Sequence, residues 1–220
     1  MAGFFIRSEK QPTTASAQLT LTLISSLLME SDSKGVRIQQ KPFLDNVISN
    51  EQYVQLIDGL KQDGDWFWYF VVRFLGCTGA RVSELRQFKV EHVIAGYMDI
   101  VSKGQKLRRI WIPDSLRRES LTWKAGSMNG LLFPGKNENA ITSRGISMGL
   151  KRAALRYGVD QDVVYPHSFR HLFAKNFIER NPDISLLADL MGHESIETTR
   201  IYLRRTANEQ RAAVNKAIDW

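Results

Sequence analysis

From Ser49 onward, apolar residues recur at helical spacing in most segments of the chain, and the period drops to two in one place only, between Tyr97 and Ile112. Ser49 can cap a helix to Gln62 that aligns Tyr53, Leu56, Ile57 and Leu60. Asp65 can cap a strongly apolar helix, Trp66 to Cys77, which Thr78-Gly79 closes because glycine accepts the left-handed conformation. Ser83 opens a helical turn through Phe88. Then Tyr97 to Val101 and Leu107 to Ile112 read as two strands of a hairpin around Ser102 to Lys106, and Pro113 stops the second. Leu131 to Gly135 is a short strand or a buried loop. Helical spacing then returns. Thr142 or Ser143 caps a basic helix to Tyr157, and another helix runs from about Ser168 to Arg180. Asp183 starts Ile184 to Met191, which closes at Gly192, and Ser195 caps Ile196 to Arg205 before a last helix, Asn208 to Ile218. One hairpin in a helical chain defines the expected class: mostly α with a small antiparallel β-sheet (α+β).

The first forty residues differ. Arg7 to Ala17 and Ser31 to Gln40 are polar, and the one apolar segment between them, Leu19 to Met29, is short and interrupted by Thr20, Thr22, Ser25 and Ser26. Residues 1–41 therefore read as a linker region and residues 42–220 as the compact domain. Neither Leu19 to Met29 nor Trp66 to Val72 reaches the roughly 20 apolar residues of a membrane span, so no membrane partner is expected. The start Met1-Ala2-Gly3-Phe4-Phe5 lacks the pattern of a signal peptide. Cys77 is the single cysteine, which excludes an internal disulfide and fits a reducing cytoplasm. Lys and Arg exceed Asp and Glu by 30 to 23, and this net charge of +7 suits a polyanionic partner.

Taken singly, the candidate functional residues have ordinary explanations. Arg81 follows a helix end and can pair with Glu84, Lys103 lies in a hairpin turn, and His167 and Arg170 share one face at a helix start. His193 follows Gly192 in a tight turn, and Tyr202 lies between Ile201 and Leu203. Taken together, two arginines, a lysine, two histidines and a tyrosine supply each part of a phosphodiester cut. A tyrosine hydroxyl can form a covalent phosphoester. Guanidinium forks suit the non-bridging oxygens, and lysine or histidine can protonate the leaving oxygen. No Asp, Glu, Cys or His cluster has metal-ligand spacing and no glycine-rich phosphate loop is present, so neither metal nor nucleotide cofactor is expected.

The order of these residues resembles the tyrosine recombinase (lambda integrase) family. Thr78-Gly79-Ala80-Arg81-Val82-Ser83-Glu84-Leu85 resembles its first arginine box, and Ser102-Lys103-Gly104-Gln105-Lys106 its lysine hairpin. His167-Ser168-Phe169-Arg170-His171 resembles its His-x-x-Arg box, with Phe169 where leucine is usual. Met191-Gly192-His193 resembles its Leu-Gly-His, and Tyr202 follows nine residues later, at the family's spacing to the nucleophile. The resemblance covers roughly Pro42 to Trp220.

The resemblance implies the tyrosine recombinase catalytic-domain fold and a site-specific recombinase that integrates, excises or inverts DNA. Arg81 and Arg170 would clamp the scissile phosphate, and Tyr202 would attack it to leave a 3′-phosphotyrosyl link. Lys103 would protonate the 5′ oxygen, His167 would assist proton transfer, and His193 would hydrogen-bond the phosphate. Family spacing favours Lys103, but Lys106 lies in the same hairpin and turn register decides between them. Glu84 is the acidic residue beside the first arginine and is expected to be structural. Lys106, Arg108 and the helix bearing Arg144, Lys151 and Arg152 are the expected DNA contacts, with Arg109 toward backbone phosphate or water. The implied partners are double-stranded DNA and further copies of the chain in a tetramer, assembled through residues 208–220. The implied setting is the nucleoid of a bacterial or phage-infected cytoplasm, with residues 1–41 a remnant of a preceding DNA-binding domain.

Overall fold

The computed structural model describes residues 46–101, 107–135, 139–203, 211 and 214–218, all within the unit Pro42–Trp220. The expectations for residues 1–41, for Lys103 and Lys106, and for most of 208–220 fall outside these. In chain order the elements are α1 (Asn50–Gln62), α2 (Trp66–Thr78), α3 (Val82–Leu85), α4 (Val90–Ala95), β1 (Tyr97–Val101), β2 (Leu107–Trp111) and α5 (Asp114–Trp123). They continue with α6 (Ser143–Arg156), α7 (Pro166–Arg180), α8 (Ile184–Met191), α9 (Glu197–Arg200) and a 3-10 turn, Ile201–Leu203. The fold is mostly helical with one two-stranded antiparallel sheet.

The helix starts follow local chemistry. Ser49 accepts from the backbone of Gln52, whose side chain accepts in return from the Ser49 amide, so two orphan donors are satisfied at once. Asp65, Thr142 and Asp183 cap α2, α6 and α8 with one side-chain acceptor each. Proline occupies the start of α7, where no intrahelical N–H is needed.

α2 forms the centre of the core. Tyr69, Phe70, Val71, Val72, Phe74 and Leu75 are all buried. Phe74 meets Phe88 and Phe133 edge-on at 5.1 and 5.4 Å, and Phe70 stacks on Trp123 at 4.6 Å. Each such ring removed from water contributes on the order of 2–3 kcal/mol. α7 packs along α2 through Phe169 and Leu172. Gly79 joins the two helices closely: it has φ 63°, and a Cβ there would lie 2.5 Å from the ring of Phe173. α6 covers another side of α2, where Gly149 lies against the indole of Trp68.

The hairpin forms over the expected strands, and its register sets Tyr97 opposite Trp111 and Val101 opposite Leu107. Its polarity is less usual. Arg108 and Ile110 of β2 point inward, while Leu107 and Trp111 are exposed.

Three local features differ from the sequence reading, and a fourth resolves an alternative it left open. α4 and α5 have too few helical periods to be seen in advance; α4 is only six residues long, and its first turn is held by the Lys89 amide donating to His92 Nδ1. α3 is shorter than Ser83 to Phe88 and is capped by Arg81. Leu131 to Gly135 takes the second of its two expected forms, a loop with Leu132 and Phe133 buried, and makes only isolated bridges, Leu131 with Lys89 and Pro134 with Ala140. Of the helix expected over Ile196 to Arg205, the described part, to Leu203, is not one α-helix: α9 tightens into the 3-10 turn that carries Tyr202.

Gly149 tests the packing of α6 on α2. A Cβ at this position would fall 1.8 Å from Trp68 Cη2. Gly149→Ala should therefore cost about 1–3 kcal/mol through overpacking, despite the higher helix propensity of alanine, and thermal melting would show it as a lower midpoint.

Candidate active site

Arg81 is positioned by the reversal at Gly79, which turns the chain from α2 into α3. Its backbone N–H donates to Glu84 Oε2 at 2.7 Å and its guanidinium to Glu84 Oε1 at 2.8 Å. Arg108 donates to the same Oε1 at 2.7 Å from the opposite side, across from β2. Burial by itself would raise the Glu84 carboxyl. The charge of Arg108 and the bonds from Arg81 outweigh it and hold the group below its ordinary value, as a carboxylate.

The second half of the frame is the C-terminus of α8. Gly192, at φ 59°, and the amide of His193 close the helix onto Ala188 and Asp189. The next three carbonyls are taken by three arginines from different elements. Arg108 gives Nε and Nη2 to Leu190 O at 3.0 and 2.8 Å, Arg170 gives Nη2 to Met191 O, and Arg81 gives Nη2 to Gly192 O at 3.0 Å. A helix C-terminus carries unsatisfied carbonyls and a partial negative charge, so cations are favoured there. Arg170 also donates to Gly79 O at 2.6 Å. Gly192 is required for closeness as well as for its φ, since a Cβ would meet Arg108 Cδ at 2.4 Å.

Exposure separates the three cations. The Arg170 residue is 2% exposed and the Arg108 side chain 4%, whereas the Arg81 side chain is 40% exposed. Arg81 and His193 line an open cleft of about 710 Å³ with Ser83, Ser195 and Thr198. Burial, with the charges of Arg81 and Arg108, lowers Arg170 to about 10, which leaves it a cation at neutral pH.

The histidines and the tyrosine adjoin this frame. His193 Nδ1 is 2.8 Å from Thr199 Oγ1, and burial with Arg170 and Arg81 lowers the ring to about 4. His167 is exposed and meets the buried ring of His171 edge-on at 4.4 Å. Partial burial of its ring against His171 and the same two arginines lower His167 as well. Tyr202 Oη lies 2.6 Å from His171 Nδ1. Burial raises this phenol to about 12 against the opposing pull of Arg170, while burial, His167 and Arg170 lower His171 to about 4.

The structure therefore brings Arg81, Arg170 and His193 onto one turn, with Tyr202 and His167 joined to it through His171. Arg144, Lys151 and Arg152 are exposed on α6. The expectation for Arg108 is corrected. Its guanidinium is buried and its donors are spent on Glu84 and Leu190, so it is part of the frame and not a DNA-facing side chain. Arg109 is exposed but pairs with Asp99 at 2.7 Å through two nitrogens, over the ring of Tyr97. Sequence reasoning missed the placement of His171, although its spacing of four from His167 puts both on one helix face. It missed Arg108 because β2 exposes its apolar neighbours. Among the described residues no group of His, Cys, Asp or Glu could hold a metal ion, and no helix is long and apolar enough to cross a membrane.

A helical domain with one hairpin and a tyrosine beside an arginine frame is the architecture of tyrosine recombinase catalytic domains. The family described as "Phage integrase family" matches residues 46–209, and the chain belongs to it. Its curated relatives include the tyrosine recombinase XerA of Pyrococcus furiosus, 32% identical over 178 residues, covering 77% of this chain and 61% of the relative. XerD of Staphylococcus haemolyticus is 27% identical over 187 residues, covering 79% and 62%. The chain thus spans about three-fifths of the length of these relatives. Among solved structures, XerA recombinase superposes with a TM-score of 0.62 at 22% identity, covering 77% of this chain and 64% of that one. The catalytic domain of bacteriophage HP1 integrase superposes at 0.54 and 22% identity, covering 77% and 93%. These likenesses establish the fold.

Two measurements test the frame. Glu84→Gln leaves Arg108 buried without its counter-charge, so stability should fall by about 3–5 kcal/mol, read as a lower urea midpoint. Acidification should act through the histidines. Their folded values of about 4 lie below the unfolded value near 6.5, so between these limits the unfolded chain binds more protons and stability falls as pH falls. Urea midpoints measured across that window should decline in the wild type and flatten when His171 and His193 are both replaced by Asn.

Proposed function

We propose that this chain is the catalytic part of a site-specific DNA recombinase that cuts and rejoins strands through a 3′-phosphotyrosyl intermediate. The observation that carries the reading is the convergence of Arg81, Arg170 and His193 on the Leu190–Gly192 turn, with Tyr202 held alongside by α7. In this reading a scissile phosphate enters the cleft at Arg81 and draws charge from both guanidiniums. His193 donates to a non-bridging oxygen. The Tyr202 oxygen attacks phosphorus, and Lys103, or Lys106 from the same hairpin, protonates the departing 5′ oxygen. His167 assists proton transfer. The phosphotyrosyl bond retains the energy of the bond it replaces, so rejoining a partner strand needs no nucleotide hydrolysis, and the charge on phosphorus is met by guanidiniums.

The exposed Arg144, Lys151 and Arg152 of α6 suit contacts to the duplex backbone. Exchange between two sites, for integration, excision or inversion of an element, calls for a tetramer on DNA, with residues 208–220 as the exchanged segment. XerH has been solved bound to its difH substrate, and that precedent supports duplex DNA as the partner here, in a cytoplasmic, nucleoid-associated setting.

The test is covalent capture. The protein is mixed with sheared DNA from its source and denatured, and the DNA that stays attached is sequenced. The wild type should retain DNA carrying a common site, and Tyr202→Phe should retain none. Arg81→Ala, which removes the exposed guanidinium that faces the cleft, should lower adduct formation by about 100- to 1,000-fold, the usual loss for one preorganised donor. Equal retention by wild type and Tyr202→Phe, or none by either, would overturn the reading.

A further inference from the structure

His171 is the residue in direct contact with the proposed nucleophile, and the resemblance assigns it no role. Its Nδ1 lies 2.6 Å from Tyr202 Oη, with the two rings 5.6 Å apart. It is buried on α7, next to Arg170, and the 3-10 turn bearing Tyr202 packs on that helix. The two histidines the family boxes point to are engaged elsewhere. His193 is bonded to Thr199, and His167 contacts the ring of His171. Among the described residues neither makes a hydrogen bond to Tyr202.

We propose that His171 is the catalytic base for Tyr202, an inference that rests on the recombinase reading. As Oη bonds to phosphorus, its proton passes to His171 Nδ1. The bond from phosphorus to the 5′ oxygen breaks, and that oxygen takes a proton from a lysine ammonium. On rejoining, the 5′ hydroxyl returns its proton to the amine and attacks phosphorus. The bond to Oη breaks, and the His171 imidazolium gives its proton back to the phenolate.

The surroundings suit a base that acts only during the reaction. The groups facing His171 are His167 and Arg170 from its own helix and Tyr202 from the turn. Beside the cationic Arg170 the ring stays unprotonated through neutral pH and so remains an acceptor, while burial keeps the proton on Tyr202. Transfer becomes favourable only as bond formation to phosphorus makes the phenol acidic. The imidazolium, crowded by Arg170, then returns the proton readily, which suits a reversible reaction.

The experiment uses a duplex of the captured sequence with sulfur in place of the bridging 5′ oxygen at the cleavage point. A thiolate leaves without protonation, so the acid side no longer limits the rate and only the tyrosine side is read. His171→Asn keeps a polar atom near the position of Nδ1 but cannot accept a proton at neutral pH. The expected result is a loss of about 100-fold or more in the rate of adduct formation, with unchanged DNA binding in a gel shift. The residual rate should rise roughly tenfold per pH unit where the wild type is flat, because hydroxide must then remove the proton. A rate close to wild type, or a loss with the pH profile unchanged, would overturn the assignment; the latter would leave only a positioning role. Absence of a Tyr202-dependent adduct from the wild type itself would instead sink the recombinase reading, and this proposal with it. Should His171→Asn fail to fold, nitrogen-15 spectra of the wild type decide: Nδ1 should be unprotonated at neutral pH and shift in Tyr202→Phe, and a protonated Nδ1 would overturn the proposal.

Discussion

The C-terminal turn of α8 is the point to which the rest of the domain is fastened. Three guanidiniums, from the N-cap of α3, from β2 and from α7, end on the successive carbonyls of Leu190, Met191 and Gly192. A helix terminus is an economical anchor for cations. Its carbonyls need donors in any case, and their dipoles favour positive charge without requiring another buried carboxylate. Among the described residues Glu84 supplies the one carboxylate bonded to the cluster and divides it between Arg81 and Arg108. Three cations can therefore lie close together while two of them are almost fully shielded from water.

This arrangement shapes everything near it. Concentrated positive charge and burial together suppress protonation of His167, His171 and His193. The same burial keeps Tyr202 a neutral phenol, against the pull of Arg170. The site thus combines arginines, neutral imidazoles and a protonated tyrosine. Arg81 is the most exposed of the three guanidiniums and faces the cleft, so an entering anion would meet it first. Because the guanidiniums are tied to backbone carbonyls, their positions are fixed by the fold.

The scaffold serves this geometry with few elements. α2 supplies the aromatic core and ends at Gly79, whose carbonyl receives Arg170 and whose lack of a side chain lets Phe173 of α7 approach. The hairpin contributes through Arg108, which links β2 to both α3 and α8. Gly192 permits that link, since any side chain there would displace the guanidinium.

Much of this was legible in the residue order. The capped helices starting after Ser49, Asp65, Thr142 and Asp183, the hairpin, and the left-handed closures at Gly79 and Gly192 depend on neighbours in sequence, and the sequence announces them. The family boxes around Arg81, Arg170, His193 and Tyr202 likewise stand as residue types at set intervals. The direction in which a strand side chain points is different, because alternation leaves two faces and β2 carries apolar residues on both: Leu107 and Trp111 are outside, and Arg108 is inside with Ile110. The contact of His171 with Tyr202 spans thirty-one positions and depends on the turn after α9 tightening and packing on α7. Local propensity and residue order determined which elements form and which chemical groups are present. Burial and long-range hydrogen bonding, which exist only once the helices are packed, decided which of those groups became framework and which face the cleft.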